Sequence, residues 1–277
     1  MSQAPQALLP TELQARLDRL RCTLRVAGPS CIAVSGGVDS RFLARVAWTG
    51  GLDAVAVLFV GPHISPADHA YALEWLRRSG HPFHVVPVDP FTSREVSANT
   101  RERCYYCKRL LFAQLAAVAA ARRCAFDGSN ASDACSFRPG RRALAEFGIR
   151  SPLAEAGLFK PDIRLLARAI GLDWPDQPSR PCLLTRIAYG LPPSRELLAR
   201  IGAAEDALAA LGLIEYRLRV TGQDSVRLQL TNAEKPRWDS AAAQARAVLE
   251  TYGLGQAELC WSEELSGFFD REPEKSG

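Results

Sequence analysis

The stretch CIAVSGGVDSRFLARVAW, residues 31–48, decides how the rest of this chain is read. Cys31 to Ser35 form a short apolar run of the kind that makes a buried strand, and RFLARVAW continues as a helix. Between them stand two glycines, an aspartate and two serines. A strand, a glycine pair and a helix start make an anion site. The first N–H groups of a helix lack partners, and the helix dipole favours negative charge there. Gly36 and Gly37 let the backbone approach a phosphate closely. Ser35 and Ser40 can add hydroxyl donors, and Asp39 can help hold a magnesium ion. The plain alternative is that Asp39 or Ser40 caps the helix. The full SGGVDS after an apolar strand favours a nucleotide phosphate. It is not the G-x-x-x-x-G-K-[ST] loop, and no lysine is read into it.

Outward from this loop, DAVAVLFV (53–60), HPFHVVPV (81–88) and CAFDGSN (124–130) read as three more strands, the last running into a polar turn. The helices PADHAYALEWLRRSG, RERCYYCKRLLFAQLAAVAAARR, RPGRRALAEFG and PDIRLLARAIG fall between and after them. Alternation of this kind predicts a parallel sheet covered on both faces, with ligands at the carboxyl ends of its strands. Both SGGVDS and DGSN fall at such ends. After about Leu191 the pattern changes to helix, two strands, helix and a last strand. The expected architecture is α/β: a Rossmann-like parallel-sheet domain over residues 1–190, then a small α+β domain over 191–277, a plausible size for a separate unit. A helix from about Pro10 to Val26 precedes them, with Leu13, Leu17, Leu20 and Leu24 on one face. The polar tail DREPEKSG is expected to fray.

Composition narrows the class. The 277 residues are 47% hydrophobic and 23% charged, with a formal net charge of +4, which is too mild to imply nucleic acid by itself. No signal-like or membrane-length apolar segment stands out, and the expected location is the cytoplasm. In that reducing compartment the eight cysteines should not build a disulfide framework. Cys31, Cys124 and Cys260 sit in strand-like runs and read as packing residues. Cys104, Cys107 and Cys182 sit where packing does not explain them.

SGGVDS resembles the PP-loop of the ATP pyrophosphatases, a superfamily that includes NAD and GMP synthetases, tRNA thiolases and sulfur transferases. The resemblance implies cleavage of ATP between its α- and β-phosphates, adenylation of a substrate oxygen, and pyrophosphate held by Ser35, Gly36, Gly37, Asp39 and Ser40. ERCYYCKRLLF (102–112), DGSNASD (127–133), RPGRRALAEFGIRSPLAEAGL (138–158) and RPCLLTRIAYG (180–190) narrow it further. Together they resemble the LarE family of sacrificial sulfur transferases, which help build the nickel-pincer nucleotide cofactor of lactate racemase. The likeness runs from about Leu13 to about Leu230.

The cysteines carry the acceptor chemistry. In helical spacing Cys104 and Cys107 lie one turn apart, which suits two ligands to one metal, and Cys182 can supply a third. The plain reading is a pair of half-buried thiols. A structural zinc wants four ligands, and none of His63, His69, His81 and His84 belongs to a ligand motif. Three cysteines suit a [4Fe–4S] cluster with one open iron. The resemblance implies two versions: a single cysteine, matching Cys182, that gives up its own sulfur and becomes dehydroalanine, or all three holding a cluster that carries spare sulfide. This chain has all three. In either version Cys182 must be a thiolate. Arg180 and Arg186 flank it, either to favour that form or as phosphate contacts or surface salt bridges.

Asp127, Ser129 and Asn130 suit magnesium or nucleotide, or else an Asx turn; the resemblance places this segment near ATP and favours a role for Asp127 and Asn130. Arg138 to Arg142 can meet phosphates or form a solvated basic face. Arg217 and Arg219 share one face of a strand and suit a phosphate or carboxylate; they match an arginine pair the family uses near its substrate. Glu205 matches an acidic family position. The chain departs from the family at Val220 and Thr221, where two histidines are common, at Gln229, where glutamate is common, and at Arg41, where a small residue is common.

The expected activity is therefore adenylation of a carboxylate of a pyridinium biscarboxylate mononucleotide with ATP and Mg2+, then conversion to a thiocarboxylate. The rivals are a PP-loop tRNA thiolase and a non-catalytic ATP-binding sulfur or metal chaperone. The expected partners are the small-molecule mononucleotide, other copies of the chain and a nickel-insertion protein, with no nucleic acid and no membrane.

Overall fold

The structure, a computed structural model, describes residues 9–135 and 140–270. They divide into two compact units that interleave along the chain: 1–61, 68–88 and 104–179 form the first, and 62–67, 89–103 and 180–277 the second. In chain order the elements are α1 (Thr11–Ala27), β1 (Ser30–Ala33), α2 (Val38–Thr49), β2 (Ala54–Val60), α3 (Pro66–Ser79), β3 (Phe83–Pro87), α4 (Arg94–Ser97), α5 (Arg103–Val118), β4 (Cys124–Phe126), α6 (Arg141–Glu146), α7 (Pro152–Glu155), α8 (Lys160–Ala169), α9 (Arg195–Ala210), β5 (Tyr216–Val220), β6 (Val226–Thr231), α10 (Lys235–Thr251) and β7 (Glu258–Ser262).

The first unit is α/β, as its alternating pattern predicts. Its four strands lie in the order β3-β2-β1-β4 and pair in parallel, with Ser30 opposite both Ala54 and Cys124. The central strands read as near-continuous apolar runs because both faces of a parallel sheet are covered. One face carries the larger core, where Ile32, Ala56, Leu58 and Phe126 pack with Phe42 and Leu43 of α2 and Leu166 of α8. The leucine stripe of α1, Leu13, Leu17, Leu20 and Leu24, is buried in the same core. The opposite face buries Cys31 and Val57 with Phe112 and Leu115 of α5.

The second unit has a three-stranded sheet in the order β5-β6-β7, with β5 and β6 antiparallel and β6 and β7 parallel. Leu198, Ile201 and Leu208 of α9 and Trp238 and Ala245 of α10 are buried, as are Leu218, Leu228 and Leu230 of the sheet. The sequence reading puts one boundary near residue 190; the last stretch of this unit begins at 180. The reason is local: Ile187 bridges to Val220 and the Ala188 N–H donates to the Val220 carbonyl at 2.9 Å, which ties residues 187 and 188 to the end of β5. Residues 89–103 join it through Asn99, a non-glycine residue at φ 51° whose side chain donates to the carbonyls of Ala188 and Leu191. Among the described residues no helix is long and apolar enough to cross a membrane.

Candidate active site

β1 lies between β2 and β4, so the chain leaves its end toward one side of the sheet and later returns on the other. Such a switch point opens a crevice at the carboxyl ends of the two strands. The loop Ser35–Ser40 follows β1 and the turn Asp127–Asn130 follows β4, and the two touch. A Cβ on Gly128 would lie 3.1 Å from the Cα and Cβ of Ser40, so only glycine fits there unstrained. Gly36 has φ 85°, and a Cβ there would meet the Ala72 methyl group at 2.7 Å. Both glycines are dictated by close approach. Ser40 is buried and closes the loop on itself: its hydroxyl donates to the Gly37 carbonyl at 3.0 Å and accepts from the Ser35 N–H at 3.2 Å. The Gly37 N–H has only a long contact, 3.4 Å, to the Ser35 hydroxyl.

Asp39, in the first turn of α2, is half satisfied. Its Oδ2 accepts from Lys160 Nζ at 2.6 Å and from Asn130 Nδ2 at 3.3 Å. Its Oδ1 is buried and has no partner. The sequence reading brings no lysine into this loop, and the structure corrects it: Lys160, 121 residues further on, reaches Asp39 from the start of α8. The turn after β4 divides its work. The Asp127 carboxylate accepts from the Ser129 N–H, from Ser129 Oγ at 2.5 Å and from Ser151 Oγ at 2.6 Å. It thereby makes the Asx turn that shapes the segment. Asn130 is the residue of this turn whose side chain reaches Asp39. Arg41, a departure from the family at sequence level, is fully buried beside the loop. Of the basic RPGRR stretch, Arg138 and Pro139 lie outside the described residues, and the Arg142 guanidinium lies 3.5 Å from the Tyr105 ring centre.

Cys104 and Cys107 lie in the opening turns of α5, where Cys107 is buried and Cys104 half-buried. Both belong to the first unit and Cys182 to the second. Cys182 is half-buried and opens a short 3-10 turn, Leu183–Arg186. Its carbonyl accepts from the Thr185 N–H at 3.0 Å and the Thr185 hydroxyl at 2.8 Å. The next N–H, of Leu183, donates to the His63 carbonyl at 2.8 Å. Arg186 is bidentate to Glu205 at 2.7 and 2.9 Å, and its third nitrogen donates to Thr185 Oγ1 at 2.8 Å. Burial acts to raise the Glu205 pKa, but the Arg186 charge and hydrogen bonds outweigh it and hold the carboxyl below its usual range. Arg180 meets Asp206 at 3.5 Å. Both arginines beside the cysteine are thus matched by carboxylates. Among the described residues no group of three or more His, Cys, Asp or Glu side chains stands together as a metal site.

No protein-family model matches the chain. Individual relatives do. An uncharacterized protein of Synechocystis is 36% identical over 196 residues, which span 70% of this chain and 73% of that protein. Pyridinium-3,5-bisthiocarboxylic acid mononucleotide synthase of Lactiplantibacillus plantarum is 29% identical over 64% of this chain and 66% of its own length. The chain resembles the LarE family. Among solved structures, NMN synthetase from Francisella tularensis aligns with 64% of this chain and 76% of its own, with a TM-score of 0.48 and 20% identity.

The resemblance to the LarE family directs attention to β5. Arg217 and Arg219 are both buried. Burial lowers both pKa values, and the neighbouring Arg186 charge lowers them further, to about 10 and about 9. Arg217 donates to the Tyr216 carbonyl at 2.6 Å. Arg219 donates to Gln229 Oε1 at 3.0 Å, the Thr185 carbonyl at 2.9 Å and the Leu265 carbonyl at 2.5 Å. Gln229, where the LarE family often has glutamate, also donates through Nε2 to Ser262 Oγ and the Glu264 carbonyl. A glutamate has no such donor when ionised. The departure at 229 therefore comes with a neutral hydrogen-bond link between strands β5, β6 and β7.

Proposed function

We propose that this chain is an ATP-dependent sulfur transferase that adenylates a carboxylate of a pyridinium biscarboxylate mononucleotide and converts it to a thiocarboxylate. The observation that carries this reading is the crevice at the ends of β1 and β4. There the glycine loop, the start of α2, the Lys160 ammonium and a half-satisfied Asp39 converge. The name of the Lactiplantibacillus plantarum relative, a pyridinium-3,5-bisthiocarboxylic acid mononucleotide synthase, supports this acceptor.

The loop amides and Lys160 bind the β- and γ-phosphates of ATP and stabilise the charge that develops as pyrophosphate leaves. Asp39 fits a magnesium ion, because its Oδ1 is a buried, hard oxygen acceptor with no partner. When bound, magnesium neutralises phosphate charge. A substrate carboxylate oxygen attacks the α-phosphorus, and the bond to the β-phosphate breaks with its electron pair on pyrophosphate. The Cys182 thiolate then attacks the acyl carbon and AMP departs. Loss of the Cys182 Cα proton and rupture of its Cβ–Sγ bond leave the sulfur and its electron pair on the product and dehydroalanine in the chain. Arg217 and Arg219 supply positive charge toward the mononucleotide's anionic groups.

The test supplies ATP, Mg2+ and the mononucleotide and follows product and protein by mass spectrometry. Wild type should yield thiocarboxylate and a chain lighter by one H2S. Cys182→Ala should yield no thiocarboxylate while still releasing pyrophosphate; sulfur transfer retained in that variant overturns the reading. A second reading of the sulfur source has Cys104, Cys107 and Cys182 holding a [4Fe–4S] cluster, favoured by the placement of Cys104 and Cys107 one turn apart on α5. No such ligand group stands assembled among the described residues. Iron and acid-labile sulfide, measured on protein purified without oxygen, decide it: cluster stoichiometry lost in all three cysteine variants supports the cluster, and no iron after reconstitution removes it. Co-purifying RNA would move the reading to a tRNA thiolase. Self-assembly and hand-over to a nickel-insertion protein are supported by the family resemblance alone.

A further inference from the structure

Arg41 is, with Arg186, one of the two largest fully buried side chains among the described residues, and it stands where the family usually has a small residue. Burying a guanidinium costs several kcal/mol unless its donors are paired. All five of its N–H groups are: Nε to the Gly36 carbonyl at 2.9 Å, Nη1 to the Asp173 carbonyl at 2.8 Å and Oδ1 at 3.1 Å, Nη2 to the Trp174 carbonyl at 3.3 Å and Gln177 Oε1 at 3.0 Å. Its Cζ lies 5.1 and 5.7 Å from the ring centres of Tyr71 and Trp75. Asp173 is itself held, by Trp75 Nε1 at 2.9 Å and the Tyr71 hydroxyl at 3.1 Å. Trp174 sits at φ 47°, a conformation that a bulky residue keeps only when its surroundings enforce it. The segment 173–177 is therefore a fixed bracket for one arginine.

The contact with Gly36 gives this bracket a function. The Gly36–Gly37 peptide is planar and trans, so its carbonyl and N–H point to opposite sides. Arg41 draws the carbonyl toward the buried side. The Gly37 N–H then faces away from it, on a residue that is part-exposed and whose N–H has no short partner. We propose that Arg41 is a positioning residue: it presets the Gly36–Gly37 peptide so that the Gly37 N–H is already aimed at the departing pyrophosphate. The proposal rests on the phosphate-loop reading. It adds a buried fork that holds one peptide of that loop.

The experiment measures inorganic pyrophosphate binding by calorimetry and the Gly37 amide resonance by NMR, for wild type, Arg41→Met, Arg41→Lys and Gln177→Met. Misplacing one preorganised donor should weaken pyrophosphate binding by about tenfold or more in Arg41→Met. Lysine, lacking the fork, should rescue only part of it. Gln177→Met, which frees only one of the two Nη2 N–H groups, should give an intermediate loss and decides the matter if the Arg41 variants do not fold. The Gly37 resonance of the free variants should shift and broaden, a change that a merely stabilising arginine would not produce. Unchanged affinity and an unchanged Gly37 resonance in folded Arg41→Met, or in Gln177→Met alone if Arg41→Met does not fold, overturn the proposal. No pyrophosphate binding in wild type overturns the phosphate-loop reading instead, which keeps the two failures apart.

Discussion

The phosphate loop after β1 and the Cys182 turn carry the two halves of the proposed reaction, and they are built in opposite ways. The loop leaves groups open. The Gly37 N–H has only a long contact, and Asp39 Oδ1 has none. The Cys182 turn is closed: its carbonyl takes two donors, and Arg186, Thr185, Glu205 and Arg219 satisfy one another around it. The contrast follows from what each must do. A site for a polyphosphate needs unused donors and acceptors held ready, because the ligand completes them. A residue that must present one sulfur atom needs its backbone fixed and no neighbour competing for it.

The largest effect should come from breaking the closed side. Arg186→Met leaves Glu205 buried without its partner, a loss of about 3–5 kcal/mol. Denaturant unfolding should show it as a lowered midpoint, and a midpoint near wild type would mean that the pair contributes little. Acid should sharpen the same side somewhat less. Burial lowers the His63 pKa from its ordinary 6.5 to about 4. The unfolded chain then binds a proton that the folded chain refuses, so stability is full above pH 6.5 and falls as the pH drops toward 4. The total is about 3 kcal/mol. Thermal unfolding across that window should show the slope, and His63→Phe should flatten it; an equal slope in the variant would assign the loss to other groups. The open side should respond in catalysis more than in stability. Lys160→Met should lower kcat/KM for ATP by about 10- to 100-fold, equivalent to about 1.4–2.7 kcal/mol, with little change in melting temperature. A fall in melting temperature with unchanged kcat/KM would make Lys160 a structural counter-ion of Asp39.

The sequence discloses the open side better than the closed one. A strand, SGGVDS and a helix are contiguous, and the backbone chemistry of that order is legible without any tertiary contact. Lys160 is not: KPDI reads as an ordinary helix start with proline in its first turn, and nothing local says that its ammonium reaches a carboxylate 121 residues away. Arg41 shows the same limit from the other direction. A buried arginine is identified by its acceptors, and three of its five are backbone carbonyls, which carry no sequence signature. The Cys182 turn was legible in part. Arg186 stands four places on, but its pairing with Glu205 depends on how α9 packs, and Asn99, which ties residues 89–103 to the second unit, reveals itself only by its backbone angle. The cysteine triad remains a matter of sequence, since no three such ligands stand together among the described residues.

One feature of the crevice sets its tolerance. Gly128 leaves 3.1 Å where a methyl group would stand against Ser40, so the loops after β1 and β4 are spaced by a single missing atom. They act as two jaws with a fixed aperture. A side chain at 128 would part them, and the width of the mouth, rather than the identity of its lining, would be the first property of the site to change.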